Sequence, residues 1–450
     1  MSNLLNDWRH RATHRRVWAL AAPMILSNIS VPLVALVDST VIGHLPHAHQ
    51  LGAVAVGATL YTFLAWSMGF LRMGTTGFAS QAAGRGDGSA LRQILLQGLL
   101  LALGLALLLA VIGLPFSHLA LSLMQPSADL QTLTESFFHT RLFGLPAALA
   151  GYALVGWFLG TQNARAPLII LLTTNLVNIA LNLWFVMGLD WGVAGSARAS
   201  VIAEWTGALL GLALTRKTLR AWPGRVAWAA LQRWHNWRPL LAVNRDIFIR
   251  SLVLQSVFFL ITVQGARLGD ATVAANALLL NGLLLTAHAL DGLAHAVEAL
   301  CGHAIGARDK TALRRSLTVA AGWSLIASVA FAVLFLLAGH LFVALQTDIP
   351  EVRATAYLYL PYLAALPLLA VWSYLLDGLF IGATRAREMR NTMLANMVLI
   401  APFAYALMDQ GNHGLWLTLL IFMLLRALTL GYVTWQLSRN DGWIKAQAHH

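Results

Sequence analysis

Between Pro23 and Gly43 the stretch PMILSNISVPLVALVDSTVIG sets one carboxylic acid, Asp38, well inside an apolar run long enough to cross a membrane. A carboxylate in hydrocarbon costs about 2.5–3.5 kcal/mol on insertion scales, so it marks a functional site unless a neighbouring helix simply hydrogen-bonds it. Such an acid suits reversible protonation, because burial disfavours the charged form of a carboxyl and polar neighbours restore it. Pro23 and Pro32 in the same run each remove a backbone donor and favour a bend. Proton exchange and helix bending are therefore available on one element.

In TTNLVNIALNLWFVMG, Asn175, Asn178 and Asn182 stand at i, i+3 and i+7, on one helical face. Amides at membrane depth need partners, which are either other helices alone or a polar network with Asp38, to which Ser200 of the next apolar run can contribute. Four more acids lie within apolar runs: Glu204, Asp291, Glu298 and Asp377. Their structural reading is pairing, with Arg72, Arg250 or helix-end amides as partners; their functional reading makes Asp291, Glu298 and Asp377 secondary ion-coupling candidates. His44, His47 and His49 in HLPHAHQ read as a solvated loop, so no metal site is expected. The segment GRGDGS lacks the Lys-Ser/Thr of a phosphate-binding loop and follows no strand. With neither nucleotide machinery nor a catalytic constellation, the chain reads as no enzyme, and its energy source reads as an ion gradient.

These residues need a scaffold, and composition supplies it. Of 450 residues, 58% are hydrophobic and 11% charged, which describes a polytopic membrane protein. The net charge of +12 falls between the apolar runs, as the positive-inside rule requires, and not on a polar domain that would take nucleic acid. The single cysteine, Cys301, excludes an intramolecular disulfide. No cleavable signal precedes the first long span. Spans are expected near 17–43, 52–83, 92–113, 131–159, 167–189, 193–215, 244–268, 271–303, 313–339, 353–382, 391–409 and 413–437. The fold class is thus all-α, with twelve transmembrane helices. The basic connections alternate with acidic or histidine-containing ones, which puts both termini in the cytoplasm.

The chain also repeats. AAGRGDGSALR (82–92) matches AIGARDKTALR (304–314), and YALVGWFLGTQNAR (152–165) matches YLLDGLFIGATRAR (374–387), both shifted by 222. A shift spanning six helices makes two repeats of like orientation, an N-lobe (1–216) and a C-lobe (244–450). The connection 217–243, basic and rich in tryptophan, reads as a cytoplasmic linker forming an amphipathic surface helix. The repeat breaks at the acids: Asp38 maps onto Leu260 and Asp377 onto Val155.

Together, PMILSNISVPLVALVDSTVIGH, NLVNIALNLWFVMGL with GVAGSARAS, and DGLFIGATRAREMRN resemble the multidrug and toxic compound extrusion (MATE) family, DinF type. The resemblance runs from about Arg16 to the last span. It implies an antiporter of the bacterial cytoplasmic membrane with its two lobes around a central cavity, acting as a monomer in lipid without a cofactor, that exports amphipathic, often cationic compounds. It puts the family's coupling aspartate on Asp38, its proline bend on Pro23, its fifth-helix asparagine on Asn178 and its sixth-helix hydroxyl on Ser200. Where many relatives carry a second aspartate this chain has Asn182, and another branch's seventh-helix acid falls on Gln255. Cation sites draw affinity from charged ligands, so H⁺ is the expected coupling ion rather than Na⁺. The alternatives are a Na⁺-coupled antiporter and a lipid-linked precursor flippase, which would line its cavity with arginines.

Overall fold

The computed structural model describes residues 2–43 and 47–445, and the side chains of these except at 2, 3, 33–39, 48 and 445. Among the described residues the regular structure is helical and contains no strand. A short α1 (Ser2–Trp8) precedes α2 (Arg11–Gly43), which stays helical through Pro23 and Pro32. Then follow α3 (Ala48–Trp66), α4 (Phe70–Gly84), α5 (Gly88–Met124), α6 (Ala128–Leu142), α7 (Leu145–Gly160), α8 (Arg165–Asn182) and α9 (Gly192–Leu219). After α10 (Trp228–Gln232) come α11 (Arg238–Arg267), α12 (Asp270–Gly306), α13 (Lys310–Ala344), α14 (Pro350–Gly382), α15 (Ala386–Ala406), α16 (Gly411–Arg439) and α17 (Gly442–Lys445).

Each of the twelve expected spans falls on this series, with α3 and α4 together forming the second and α6 and α7 the fourth. Among the described residues nine helical stretches are long and apolar enough to cross a membrane, and α6 with α7, bent by 47°, make a tenth. The bend has a local cause: Gly144 sits at the break and Pro146 follows it in the first turn of α7. The other two spans are α2 and α15, the latter diluted by Arg390, Asn391 and Asn396.

By its contacts the chain divides into two units, Leu26–Leu241 and Met1–Ile25 with Ala242–His450. In the first-half unit α7 packs on α4 and α5, and α8 on α9, around Ala79, Leu91, Leu154, Trp157 and Phe158. In the second-half unit α14 packs on α12, α13 and α16, around Leu279, Leu363, Leu366 and Leu419. The start of the chain belongs to this second unit. There Asp7 of α1 meets Arg314 at 2.5 Å and Arg315 at 3.4 Å, while the Trp8 and Trp18 rings lie against Trp323. The hydrogen bond from Arg314 holds the Asp7 carboxyl below the usual carboxylate range.

The repeat is visible in the atoms of each unit taken by itself. A Cβ on Gly160 would sit 2.9 Å from Thr76 O and 2.8 Å from Ser80 N; one on Gly382 would sit 2.5 Å from Glu298 O and 3.0 Å from Gly302 N. Those neighbours are themselves 222 apart. Gly156 likewise faces the carbonyl of Arg72, and Gly378 that of Ala294. The helix starts repeat too: Asp87 Oδ1 accepts from Ala90 N and Asp309 Oδ1 from Ala312 N, both at 2.9 Å. Gln162 and Thr384 end their helices at φ of 61° and 57°. The matched glycines are thus places where two helix backbones touch, which any side chain would prevent.

The connection 217–243 differs from expectation. No extended amphipathic helix forms there; α9 ends at Leu219, and only the five-residue α10 and a 3₁₀ turn, Trp234–Asn236, follow. Pro223 lacks an amide hydrogen, and Gly224 lies close against Ser89, where a Cβ would come 2.5 Å from the backbone nitrogen. Arg92 holds this exit in place by donating to Trp222 O at 2.6 Å and Leu219 O at 3.1 Å.

The helix contact at Gly378 predicts that Gly378→Ala destabilises the protein by about 1–3 kcal/mol, because a Cβ there would press on a carbonyl oxygen that only backbone movement can displace. Gly431→Ala, whose Cβ meets nothing within 4 Å, should be neutral or mildly stabilising. Thermal unfolding of the two variants in one detergent compares them directly.

Candidate functional site

The polar residues of the first-half unit are held by α2, α8 and α9. Asn175 Nδ2 donates to Ser30 Oγ of α2 at 2.9 Å, and the Ser30 hydroxyl in turn donates a hydrogen bond to Ser27 O at 2.6 Å. Further along α8, Asn182 Nδ2 donates to Asn178 Oδ1 at 3.2 Å, and Asn178 Nδ2 donates across to Ser200 Oγ of α9 at 3.3 Å. All four predicted network residues are therefore hydrogen-bonded, in two groups on the same helix. Asn182 is fully buried, while Asn175, Asn178 and Ser200 are half-buried. Ser200 accepts, and no acceptor for its hydroxyl proton lies among the described residues. The ladder is built from amides and hydroxyls without a charge.

The Asp38 side chain lies outside the described residues, so its contacts are not part of this geometry; its backbone is within α2. Of the loop histidines, His44 is also outside them, and the rings of His47 and His49 stack at 5.3 Å.

One feature of the site escaped the sequence reading. Directly after Asn182 the helix widens to a π-helix, Leu183–Gly188, closed by Leu189 N to Trp184 O and Trp191 N to Phe185 O, both 2.9 Å. Such widened turns are frequent at functional sites. The signal available was the pair Asp190 and Gly192, which adopt φ of 53° and 51° just beyond it.

Two of the other acids, Glu204 and Asp377, are built into ion pairs. Glu204 accepts from Arg141 at 2.9 Å and from the Tyr61 hydroxyl at 3.1 Å, and the Arg141 guanidinium stacks 3.9 Å over the Tyr61 ring. Its cation is thus Arg141 rather than Arg72 or Arg250. Asp377 of α14 takes Arg250 of α11 and Arg426 of α16 on a single oxygen, Oδ2, the latter at 2.9 Å. Arg250 was expected; Arg426 was missed, although an arginine inside FMLLRALTLGYV is as anomalous at membrane depth as an acid. Glu298 is buried and Asp291 half-buried on α12, while Gln255 is exposed on α11. A reciprocal amide pair closes another part of this unit, Asn276 with Asn412 at 2.8 and 2.9 Å, joined by Trp416 Nε1 at 2.9 Å.

Comparison with known proteins agrees with this architecture. The MatE family model matches twice, over residues 23–184 and 247–406, once in each half. The chain is 46% identical over 443 residues to DNA damage-inducible protein F of Escherichia coli (strain K12), covering 97% of this chain and 95% of that one. It is 27% identical over 459 residues to a probable multidrug resistance protein NorM of Xanthomonas axonopodis pv. citri (strain 306), covering 95% and 94%. Its fold is similar to a solved outward-facing multidrug resistance transporter of the MOP superfamily, with a TM-score of 0.85 at 18% identity over 96% of this chain and 97% of that one.

The ion-pair triad carries an expectation for stability. Asp377→Asn leaves two buried guanidinium groups without a counter-charge and should cost about 3–5 kcal/mol. Asn178→Ala removes one interhelical hydrogen bond, to Ser200, of a kind worth about 0.6 kcal/mol on average, and one within α8, to Asn182, and should cost far less. Unfolding in detergent ranks the two; equal losses would contradict the triad.

Proposed function

The chain belongs to the MatE family of multidrug and toxin extrusion transporters, and on that premise we propose that it is a proton-coupled antiporter exporting amphipathic, often cationic compounds. It works in the bacterial cytoplasmic membrane with both termini inside, a reading that the basic connections of its sequence support. The observation that carries the reading is the uneven distribution of charge. Among the hydrogen bonds of the described residues, the first-half ladder of Asn175, Asn178, Asn182 and Ser200 includes no cation, and the lone acid in the sequence of the adjoining α2 is Asp38. In contrast, Asp377 is already taken by Arg250 and Arg426.

Register supports the pairing of Asp38 with the ladder. Ser30 and Asn175 touch, and the first and fifth spans run in the same direction by the count of crossings. At 1.5 Å per residue, Asp38 then lies about 12 Å further along its helix and Asn182 about 10 Å along its own. The α2 backbone at Asp38 is then level with the outer end of the ladder, where the Ser200 hydroxyl can donate. Protonation cancels the demand for those donors, so α2 can bend about Pro23 and leave them. The amide at Asn182 withholds the second charge that would favour Na⁺. Arg250 and Arg426, being committed to Asp377, are not offered to an anionic lipid-linked head, which argues against a flippase.

Asp38→Asn should keep the fold and abolish dye export driven by a pH gradient in proteoliposomes, since an amide cannot exchange a proton. The unmodified protein should respond to an imposed pH gradient and not to a Na⁺ gradient. Export by Asp38→Asn at the unmodified rate, or a Na⁺-driven response, would contradict the proposal.

A further inference from the structure

A groove of about 480 Å³ runs along the first-half unit between α5 and the segment joining α9 to α11. Leu100, Leu105 and Leu108 form one wall, and Trp234, Trp237 and Leu241 the other. Leu100 and Leu108 are about half exposed, as are Leu103 and Leu107 of the same helix, so the groove is continuous with the leucine surface that α5 presents to hydrocarbon. Its second wall is fixed. Gln97 Nε2 donates to Asn236 O at 3.1 Å, Asn236 Nδ2 to Ala230 O at 2.8 Å, and Trp237 Nε1 to Leu231 O at 2.8 Å.

Basic residues flank the tryptophan wall in the sequence, Arg233 before Trp234 and Arg238 after Trp237. Between 217 and 243 the sequence holds Lys217, Arg220, Arg225, Arg233 and Arg238 and no acid. Arg225, Arg233 and Arg238 are exposed and have no ion pair among the described residues. Trp234 is 63% exposed, and its indole N–H has no acceptor among the described residues. An apolar slot open to the bilayer, an interfacial tryptophan donor and guanidinium groups without counter-charges fit one amphiphile with an anionic head. Anionic lipids gather where basic segments meet the membrane surface, and tryptophans lie at the same depth. A polypeptide occupant would need both an apolar strip and acids, whereas the bilayer supplies the lipid at high concentration.

We propose that this groove binds one anionic phospholipid, with an acyl chain along α5 between Leu100 and Leu108 and the phosphate held by Arg233, Arg238 and the Trp234 indole. The connection between the halves is then seated on the membrane by a lipid, in the place where no amphipathic helix forms to do it. The proposal needs only that the chain is embedded in a bilayer, and stands apart from the choice of coupling ion.

The test uses the full-length protein in phosphatidylcholine nanodiscs that contain bromine-labelled phosphatidylglycerol or, at equal mole fraction, bromine-labelled phosphatidylcholine. The groove signal is the fluorescence quenching lost in Trp234→Phe/Trp237→Phe. It should be about fivefold stronger with the brominated anionic lipid, and Arg233→Gln/Arg238→Gln should bring it down to the phosphatidylcholine level. Gly104 lies in the groove and a Cβ there meets nothing within 4 Å, so Gly104→Phe should fold normally and shut out both lipids. Should the arginine variant fail to fold, displacement of the brominated lipid from the unmodified protein by short-chain phosphatidylglycerol, and not by short-chain phosphatidylcholine, gives the same reading. Equal quenching by the two lipids, or a preference that survives loss of both arginines, would overturn the proposal.

Discussion

An ionisable side chain within hydrocarbon has few stable arrangements: it pairs with an opposite charge, or it gathers hydrogen-bond donors, or it gives up its charge. The acids of this protein are sorted by that constraint. Glu204 is neutralised by Arg141, and Asp377 by two arginines from different helices, so both serve to tie α9 to α6 and α14 to α11 and α16. A pair of this kind adds little net stability over a well-packed apolar core, yet losing one member is severe. Such groups fix helices in register and resist change. A transport cycle needs an acid under the opposite regime, held by neutral donors that can be released once the proton arrives. The ladder of Asn175, Asn178, Asn182 and Ser200 offers that environment.

The two halves share a frame and differ in what it carries. The frame is set by glycine contacts, Gly156 and Gly160 against α4 and Gly378 and Gly382 against α12, where backbones approach too closely for any side chain. These contacts fix helix spacing and leave other faces free to diverge. The first half then places amides on α8 and a π-helix after Asn182, while the second closes its amides on one another at Asn276 and Asn412. One half carries a ladder of uncharged amides and hydroxyls and the other a clasped amide pair.

Much of this was legible before any coordinates. Twelve spans could be read because apolar runs of about 20 residues have one use, and the repeat because matched glycines survive where packing forbids alternatives. The face shared by Asn175, Asn178 and Asn182 followed from helical periodicity. Partners distant in sequence were not legible: Arg141 lies 63 residues from Glu204 and Arg426 lies 49 from Asp377, and no local pattern joins them. The short α10 was hidden for a different reason. Composition between 217 and 243 suits an amphipathic helix, but Pro223, Gly224 and the carbonyl-binding Arg92 impose a turn that periodicity cannot register.

In the proposed cycle one carboxyl, that of Asp38, exchanges its proton while Glu204 and Asp377 stay paired. Infrared difference spectroscopy of the purified protein, titrated through neutral pH, observes this directly through the C=O stretch of a protonated carboxyl. The account predicts one such band that appears as pH falls and is missing in Asp38→Asn. A band that persists in Asp38→Asn would place the exchangeable proton on another acid and contradict it.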